Sequence, residues 1–282
     1  MEEFYMKKFL KVALPNAGVL LAAAGAAIYM TAPGKASEEK KAPFKGRNIA
    51  HRGLHKVDKS VPENSIPAFK EAVDKGYGVE FDVHITADDQ LVVFHDDDLE
   101  RMCSEEGKIE EKTYEELKPM RLAGTDEHIP LLSEVLQTIN GEVPIVLELK
   151  RGARNKELCE RTYAMLRLYR GDVCIESFDP FIVRWWRINA PEVLRGQLST
   201  TPEKLRESSK WYQAFAVGNV LTNFLCRPHF IAYGLCEKKP WTVRLSEKLG
   251  AMRVAWTSRG WGNEENNDTV IFEYYRPRIR FK

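Results

Sequence analysis

Short apolar runs alternate with longer amphipathic stretches along most of this chain, from residue 47 to its C-terminal end. Each run has the length of a strand, and apolar runs of about four to eight residues between turn signals are typical of buried strands. The predicted strands are residues 48–53, 78–86, 91–95, 144–150, 172–178, 193–199, 230–234, 253–257 and 270–275.

The spacing between these strands predicts how they are connected. Residues 87–90 are too few to form a helical crossover, so the second and third strands are predicted to be an antiparallel hairpin. A helix is predicted over residues 65–75 with Asn64 as its N-cap. Further helices are predicted over residues 133–139, 155–169 and 242–249.

The remaining eight strands, joined by mostly helical connections, predict an α/β fold: a TIM (β/α)8 barrel with a β-hairpin extension after its second strand. An open doubly wound sheet would use similar strands. However, such a sheet typically has a Gly-rich phosphate loop after its first strand, and none follows here.

The composition limits the classes of function. The chain has 282 residues, of which 44% are hydrophobic and 29% charged, so it can bury a large core and is not typical of disorder. Its net charge of +1 gives no reason to expect nucleic acid as a partner, and no obligate protein partner is evident. Five widely spaced cysteines are predicted to be small apolar side chains. Phe181, Trp185 and Trp186 fall at helical spacing and are predicted to serve in the core or in helix packing rather than in substrate binding.

The N-terminal end has a different pattern, which predicts a hydrophobic helix before the barrel. A short basic segment, residues 1–11, precedes residues 12–32, which carry no charge and have the length of a membrane-spanning helix. Two alternatives are open: a single-pass membrane anchor, which we favour, and a signal peptide cleaved near Ala36 that leads to secretion. Both place the predicted barrel, residues 47–282, outside the cytosol. Residues 33–46 are predicted to be a polar tether.

Ionisable side chains recur at the C-terminal ends of neighbouring predicted strands, where barrel enzymes carry their catalytic groups. Glu80 and Asp82 lie two residues apart on one strand and therefore face the same side. Such carboxylates repel each other unless a cation lies between them, and Glu148 on a neighbouring strand can supply a third ligand. Since no Cys or paired-His ligand set for zinc is nearby, one divalent cation, Ca²⁺ or Mg²⁺, is predicted.

Two histidines, His51 and His95, are predicted at the ends of separate strands beside these carboxylates. One can accept a proton while the other donates one, and Arg52 and Lys150 add fixed positive charge suited to phosphate oxygens. Phosphodiester cleavage needs these elements together, whereas glycoside cleavage typically needs two carboxylates without cations. The residues therefore favour phosphodiester cleavage. The other histidines are predicted to be structural or superficial: His55, His84, His128 and His229.

These residues lie in motifs that resemble those of the glycerophosphodiester phosphodiesterase family. The similarity runs in the family's order from Asn48 to Pro277 and is highly specific as a set. The motifs are "HRG", "PENS", "GVEFDVHIT", "LVVFHD", "IPLLSEVL", "LELK", "SFDP", "WT" and "IFE".

The resemblance implies a TIM barrel that hydrolyses glycerophosphodiesters to an alcohol and sn-glycerol 3-phosphate, in lipid and glycerol metabolism. It also implies that a glycerol hydroxyl attacks the phosphate, through a cyclic phosphate that water then opens. Glu63 of "PENS" is implied either as a ligand of the ion or as a residue that supports one of its ligands. The other implied roles are His51 and His95 as the acid/base pair, Glu80, Asp82 and Glu148 as metal ligands, Arg52 and Lys150 as phosphate contacts, and Trp256 as a wall of the substrate pocket.

The sequence departs from the family pattern at three points. "PENS" replaces "PENT" and keeps the hydroxyl, residues 88–90 turn the hairpin without the usual Gly and are expected to be looser, and residues 256–259 replace "WTVN". No implied catalytic or metal residue is missing, so a non-catalytic barrel is the less expected alternative. A lysophospholipase D or a phosphatidylinositol phospholipase-like activity on membrane lipids stays open, because the motifs do not separate these substrates.

Overall fold

The computed structural model describes residues 19–281, and within them eight parallel strands close into a barrel. The first strand pairs with both the second and the last, which closes the sheet. The TIM barrel prediction is therefore confirmed, and every predicted strand is present. The strands are β1 (Arg47–Ala50), β2 (Gly78–Ile85), β3 (Leu91–Val93), β4 (Ile145–Leu149), β5 (Val173–Ser177), β6 (Leu194–Ser199), β7 (Phe230–Gly234), β8 (Met252–Ser258) and β9 (Thr269–Phe272).

The strand that lies outside the barrel is β3, which pairs antiparallel with β2 as the short connection predicted. Asp89 has a φ of +68° and takes the left-handed conformation that Gly usually supplies in such a turn. Its carboxylate pairs with Arg154 and Arg161, and the Thr86 hydroxyl accepts a hydrogen bond from the Gln90 N–H at 2.8 Å. The turn is therefore held by side chains rather than left loose.

Six helices of eight or more residues lie between residues 60 and 250 of the described chain. They are α1 (Ile66–Asp74), α2 (Leu132–Ile139), α3 (Asn155–Leu166), α4 (Pro180–Asn189), α5 (Trp211–Gly218) and α6 (Trp241–Lys248). The predicted helices correspond to α1, α2, α3 and α6, and α4 carries the predicted aromatic spacing. Shorter helical turns are Glu38–Lys41, Glu100–Cys103, Ile109–Glu111, Tyr114–Leu117, Leu122–Gly124, Pro202–Leu205 and Asn223–Cys226.

The prediction of Asn64 as the N-cap of α1 is wrong. The cap is Ser65, whose hydroxyl accepts a hydrogen bond from the Ala68 N–H and whose backbone has the extended conformation that a cap requires. Asn64 instead has a φ of +56°, and its side-chain amide donates a hydrogen bond to Asp82 at 2.9 Å. The residue therefore connects the start of α1 to the mouth of the barrel.

The core has two layers because side chains alternate along each strand. On β2, Val79, Phe81 and Val83 face outward and pack with the surrounding helices. Glu80 and Asp82, on the opposite face of β2, lie inside the barrel mouth. The alternation thus directs the carboxylates of β2 toward the barrel axis.

All five cysteines are free, and Cys159, Cys174 and Cys226 are buried.

The predicted membrane segment lies partly outside the described residues, which begin at residue 19. Residues 19–31 are helical, and no helix in the described part of the chain is long and apolar enough to cross a membrane. The end of this helix is held by Asn223, which donates a hydrogen bond to the Thr31 carbonyl at 3.0 Å. In the predicted tether, Phe44 is buried and its carbonyl accepts a hydrogen bond from Thr269.

Candidate active site

Three carboxylates lie together at the C-terminal end of the barrel. Glu80 and Asp82 are on β2, and Glu148 on β4 is the register partner of Asp82. Each offers an oxygen within 4.8 Å of the others, and their exposed fractions are 2%, 1% and 7%. Because so little water reaches them, their mutual repulsion is weakly screened.

Charge is distributed unevenly over the cluster. Burial, together with the neighbouring carboxylates, raises the pKa of Glu80 well above its ordinary value. Burial likewise raises the pKa of Glu148, to about 7. Burial also acts to raise the pKa of Asp82, but Lys150, His95 and Arg52 together lower it well below its ordinary value. A set of buried oxygen donors with excess negative charge fits a hard divalent cation.

The predicted phosphate contacts, Arg52 and Lys150, lie beside this cluster. The Arg52 backbone N–H donates a hydrogen bond to Glu80 at 2.9 Å, and its guanidinium donates one to Glu63 at 2.7 Å. The Lys150 ammonium is 3.0 Å from Glu148 and 3.3 Å from Asp82. Arg52 borders a cavity at this end of the barrel, whereas Lys150 lies between two carboxylates and does not line that cavity.

His51 directly follows β1 and is held by a carboxylate that follows β9. Its Nδ1 is 2.8 Å from Glu273 Oε2, and its Nε2 is 3.9 Å from Glu80 Oε2. Burial lowers the pKa of His51 to about 4, so the ring is neutral near pH 7. Because an ionised carboxylate can only accept, Nδ1 carries the hydrogen and Nε2 is left with a free lone pair.

His95 has a similar arrangement on the other side of the cavity. Its Nδ1 is 2.6 Å from Asp96, which in turn accepts a hydrogen bond from Arg101. Arg101 also donates hydrogen bonds to both oxygens of Glu63, at 2.7 and 3.0 Å. Burial lowers the pKa of the half-buried His95 as well. Both histidines therefore have Nδ1 fixed by a carboxylate.

The two histidines border one cavity of about 340 Å³. Ionic groups form one side, and Trp256, Phe178, Leu198 and Ile271 form apolar parts of its wall. The Trp256 indole N–H donates hydrogen bonds to the Ser199 and Ala232 carbonyls, so its ring is fixed. The predicted site residues that line this cavity are His51, Arg52, Glu63, Glu80, His95, Glu148 and Trp256. Asp82 adjoins them through its contacts with Lys150 and Arg52.

Sequence reasoning missed several groups at this site. Glu176 on β5 is the register partner of Glu148 and lines the cavity, and burial raises its pKa well above its ordinary value. An acidic residue at the end of a fifth strand, "CIES", was the signal for it, and "IFE" was the signal for Glu273. Arg259 directly follows β8 and so shares the strand-end signal of the other groups. Arg101 lies in a connection without periodicity, so no pattern indicated it.

The fold and this site define a (β/α)8-barrel protein with a histidine-flanked acidic centre at the barrel mouth. Residues 51–274 match a family model described as the glycerophosphoryl diester phosphodiesterase family. The match extends from His51 to the residue after Glu273 and covers most of the chain. The chain belongs to this family.

Two curated relatives illustrate the similarity. A glycerophosphodiester phosphodiesterase of Caldanaerobacter subterraneus is 36% identical over 163 residues, which are 53% of this chain and 65% of that protein. Lysophospholipase D GDPD1 of Rattus norvegicus is 32% identical over 151 residues, 49% of this chain and 46% of that protein. The matched stretches therefore span about half to two thirds of these relatives.

Solved structures support the same fold at lower identity. An Oleispira antarctica phosphodiesterase in complex with the product sn-glycerol-3-phosphate has a TM-score of 0.67 and 22% identity, over 81% of this chain and 93% of that chain. A putative glycerophosphoryl diester phosphodiesterase from Silicibacter pomeroyi has a TM-score of 0.65 and 24% identity, over 88% and 93% of the two chains.

Proposed function

We propose that this protein hydrolyses glycerophosphodiesters to an alcohol and sn-glycerol 3-phosphate. One observation carries the proposal: two buried or half-buried histidines, each fixed at Nδ1 by a carboxylate, border the same cavity as a cluster of buried acidic residues. Family membership, the Caldanaerobacter relative's name and the product bound to the Oleispira structure support the same reaction.

The two histidines divide the proton transfers between them. One accepts the proton of the attacking hydroxyl at its unprotonated Nε2. The other, in its imidazolium form, donates the Nε2 proton to the oxygen of the departing alcohol as the P–O bond breaks. Overall, one water is consumed for each diester. Arg52, which borders the cavity, places positive charge and planar N–H donors beside the phosphate.

Glu80, Asp82 and Glu148 are the residues that would hold a divalent cation, Ca²⁺ or Mg²⁺. When bound, such an ion supplies positive charge that neutralises the phosphoryl oxygens. Glu63 contacts Arg52 and Arg101 and so supports the phosphate-facing groups.

We also propose that the N-terminal segment attaches the barrel to a membrane as a single-pass anchor, with the barrel outside the cytosol. The uncharged residues 12–32 after a basic segment support it. Secretion after cleavage near Ala36 is the alternative. The mass of the mature N-terminus distinguishes an intact anchor from a cleaved signal.

The reaction is tested with the full chain, glycerophosphocholine and glycerophosphoethanolamine. Each is incubated with Ca²⁺, Mg²⁺ or a chelator, and sn-glycerol 3-phosphate and the released alcohol are measured. Turnover with at least one ion and none with the chelator is expected. Absence of turnover of every diester with both ions would contradict the proposed function.

The histidine assignment predicts the effect of two substitutions. His51→Ala and His95→Ala should each lower kcat by about 10²–10⁴-fold, because each removes one proton transfer. His128→Ala is the matched control, since His128 lies outside the cavity beside Glu134. Thermal unfolding checks that the variants remain folded. Activity near wild type in either active-site variant would exclude that histidine from the chemistry.

A further inference from the structure

A second cavity, of about 240 Å³, lies next to the catalytic cavity. We call it the α4–α5 groove, because its lining comes largely from α4, α5 and the turns before them. Its apolar lining includes Phe178, Pro180, Phe181, Leu205, Tyr212 and Ala216. Phe178 follows β5 and lines both cavities, so the groove adjoins the catalytic cavity at this side chain.

The groove has an apolar lining that suits hydrocarbon. Most of its side chains are aliphatic or aromatic, and Arg151 and Asp179 are the charged residues that line it in the described chain. The Asp179 carboxylate is already engaged as the N-cap of α4, where it accepts a hydrogen bond from the Phe181 N–H at 2.8 Å. A mostly apolar cavity with few polar groups gains free energy by burying an apolar ligand.

Exposed aromatic side chains occur on both helices that line the groove. Phe181 is 64% exposed, so a core position, one of the two roles predicted from its helical spacing, is wrong. On α5, Trp211, Tyr212 and Phe215 are 69%, 50% and 54% exposed. Aromatic side chains concentrated on one surface are typical of sites that meet lipid or another apolar partner.

The apolar wall of the catalytic cavity continues into this groove. The Phe178 ring packs edge-on against the Trp256 ring, with centroids 5.6 Å apart. These two rings form an apolar wall, whereas the ionic side of the catalytic cavity holds the phosphate-binding groups. The apolar wall therefore runs from the cavity that Arg52 borders, past Phe178, to the groove.

We propose that the α4–α5 groove binds the acyl chain of a lysophospholipid whose phosphodiester lies in the catalytic cavity. This inference rests on the proposed function and adds the substrate class to it. An acyl chain is the occupant we choose because the groove adjoins the catalytic cavity at Phe178, so that one substrate molecule can occupy both. Another protein or a segment of this chain could cover an apolar surface without that continuity.

The test uses the full chain and lysophosphatidylcholines with hexanoyl, octanoyl and decanoyl chains, each below its critical micelle concentration. Glycerophosphocholine is the substrate without a chain. Each buried methylene stabilises binding by about 0.8 kcal/mol, which equals about a fourfold gain in kcat/KM. We expect kcat/KM to rise by about fifteenfold for each pair of added carbons until the groove is filled.

A groove-filling substitution locates the effect. Ala216→Trp should lower the ratio of kcat/KM for the decanoyl substrate to kcat/KM for glycerophosphocholine by at least about tenfold. Ala164→Trp adds the same bulk to an exposed position on α3, outside the groove, and should leave the ratio unchanged.

The outcomes separate this inference from the proposed function. Hydrolysis of glycerophosphocholine without a dependence on chain length would overturn the acyl-chain subsite, leave the proposed function intact and point to another occupant of the groove. An equal ratio in Ala216→Trp and wild type would overturn it in the same way. No hydrolysis of any substrate would overturn both.

Discussion

Glu273 shows how one side chain determines the chemistry of His51, one of the two histidines that we propose as the acid/base pair. Its Oε2 accepts the His51 Nδ1–H at 2.8 Å, and its Oε1 accepts the Arg259 Nε–H at 2.6 Å. Burial acts to raise the pKa of Glu273, but His51 and Arg259 lower it to about 2, so it is ionised at neutral pH. The ionised carboxylate fixes the tautomer in which His51 Nε2 can accept a proton.

Glu273→Gln tests this positioning role. The amide keeps the size of the side chain but can donate to Nδ1, which favours the wrong tautomer of His51. We expect kcat to fall by about 10²–10⁴-fold, by the logic of carboxylate–histidine pairs in other hydrolases. Steady-state kinetics with glycerophosphocholine measure it, and Glu237→Gln at an exposed position is the control. A variant with wild-type kcat would show that the carboxylate charge is not needed.

At the level of elements, the packing of α1 against the turn after β1 holds His51 and Arg52 in place. Gly53 in this turn has a φ of +77°, and a Cβ there would lie 2.8 Å from the Ala68 carbonyl carbon. The Leu54 N–H also donates a hydrogen bond to the Ala68 carbonyl at 2.8 Å. Only Gly fits both the backbone conformation and the close approach, which explains the Gly of "HRG".

Gly53→Ala should therefore lower the free energy of unfolding by more than backbone strain at a positive φ alone would. Gly124 is the matched control, because it has a φ of +73° and a Cβ added there would have no neighbouring atom within 4 Å. Gly124→Ala should cost about 1 kcal/mol from backbone strain, and Gly53→Ala at least about 1 kcal/mol more from the clash. Urea unfolding measures both free energies. Equal costs would show that α1 shifts freely away from the turn.

For the whole molecule, folding concentrates negative charge in a chain whose net charge is only +1. Glu80, Asp82, Glu148 and Glu176 come from three strands and meet at the barrel mouth. Burial raises the pKa of Glu148 from 4.5 to about 7. A carboxyl group whose pKa is raised by folding contributes stability at pH values below its pKa in the unfolded state. This contribution is lost as the pH rises through its pKa in the folded state. Without a cation, the window of loss for Glu148 is about pH 4.5 to 7.

This linkage predicts how cation binding depends on pH. At about pH 5.5 a proton on Glu148 competes with the ion, whereas at about pH 8 the carboxylate is free to bind it. Ca²⁺ or Mg²⁺ should therefore raise Tm more at about pH 8 than at about pH 5.5. Calorimetry of the full chain measures this difference, and Glu148→Gln should reduce it. An equal increase in Tm at both pH values would argue against Glu148 as a ligand.

Local pattern was sufficient to predict the barrel and much of the candidate site. Short apolar runs between amphipathic stretches predicted all nine strands, and a four-residue gap predicted the β2–β3 hairpin. Because parallel strands all present their C-terminal ends at one mouth, the ionisable groups that end them predicted a shared site. His51, Glu80 and Glu148 could be assigned to one cavity on this basis, before any contact was known.

What the tertiary structure alone decided are the contacts between distant parts of the chain. Glu273 and His51 are 222 residues apart in sequence and meet only because β9 pairs with β1. Arg101 reaches Glu63 from a connection without periodicity, and Asn64 bonds Asp82 instead of capping α1. The α4–α5 groove likewise depends on how two helices pack. Such contacts follow from barrel closure and side-chain packing, and neither leaves a periodic signal in the sequence.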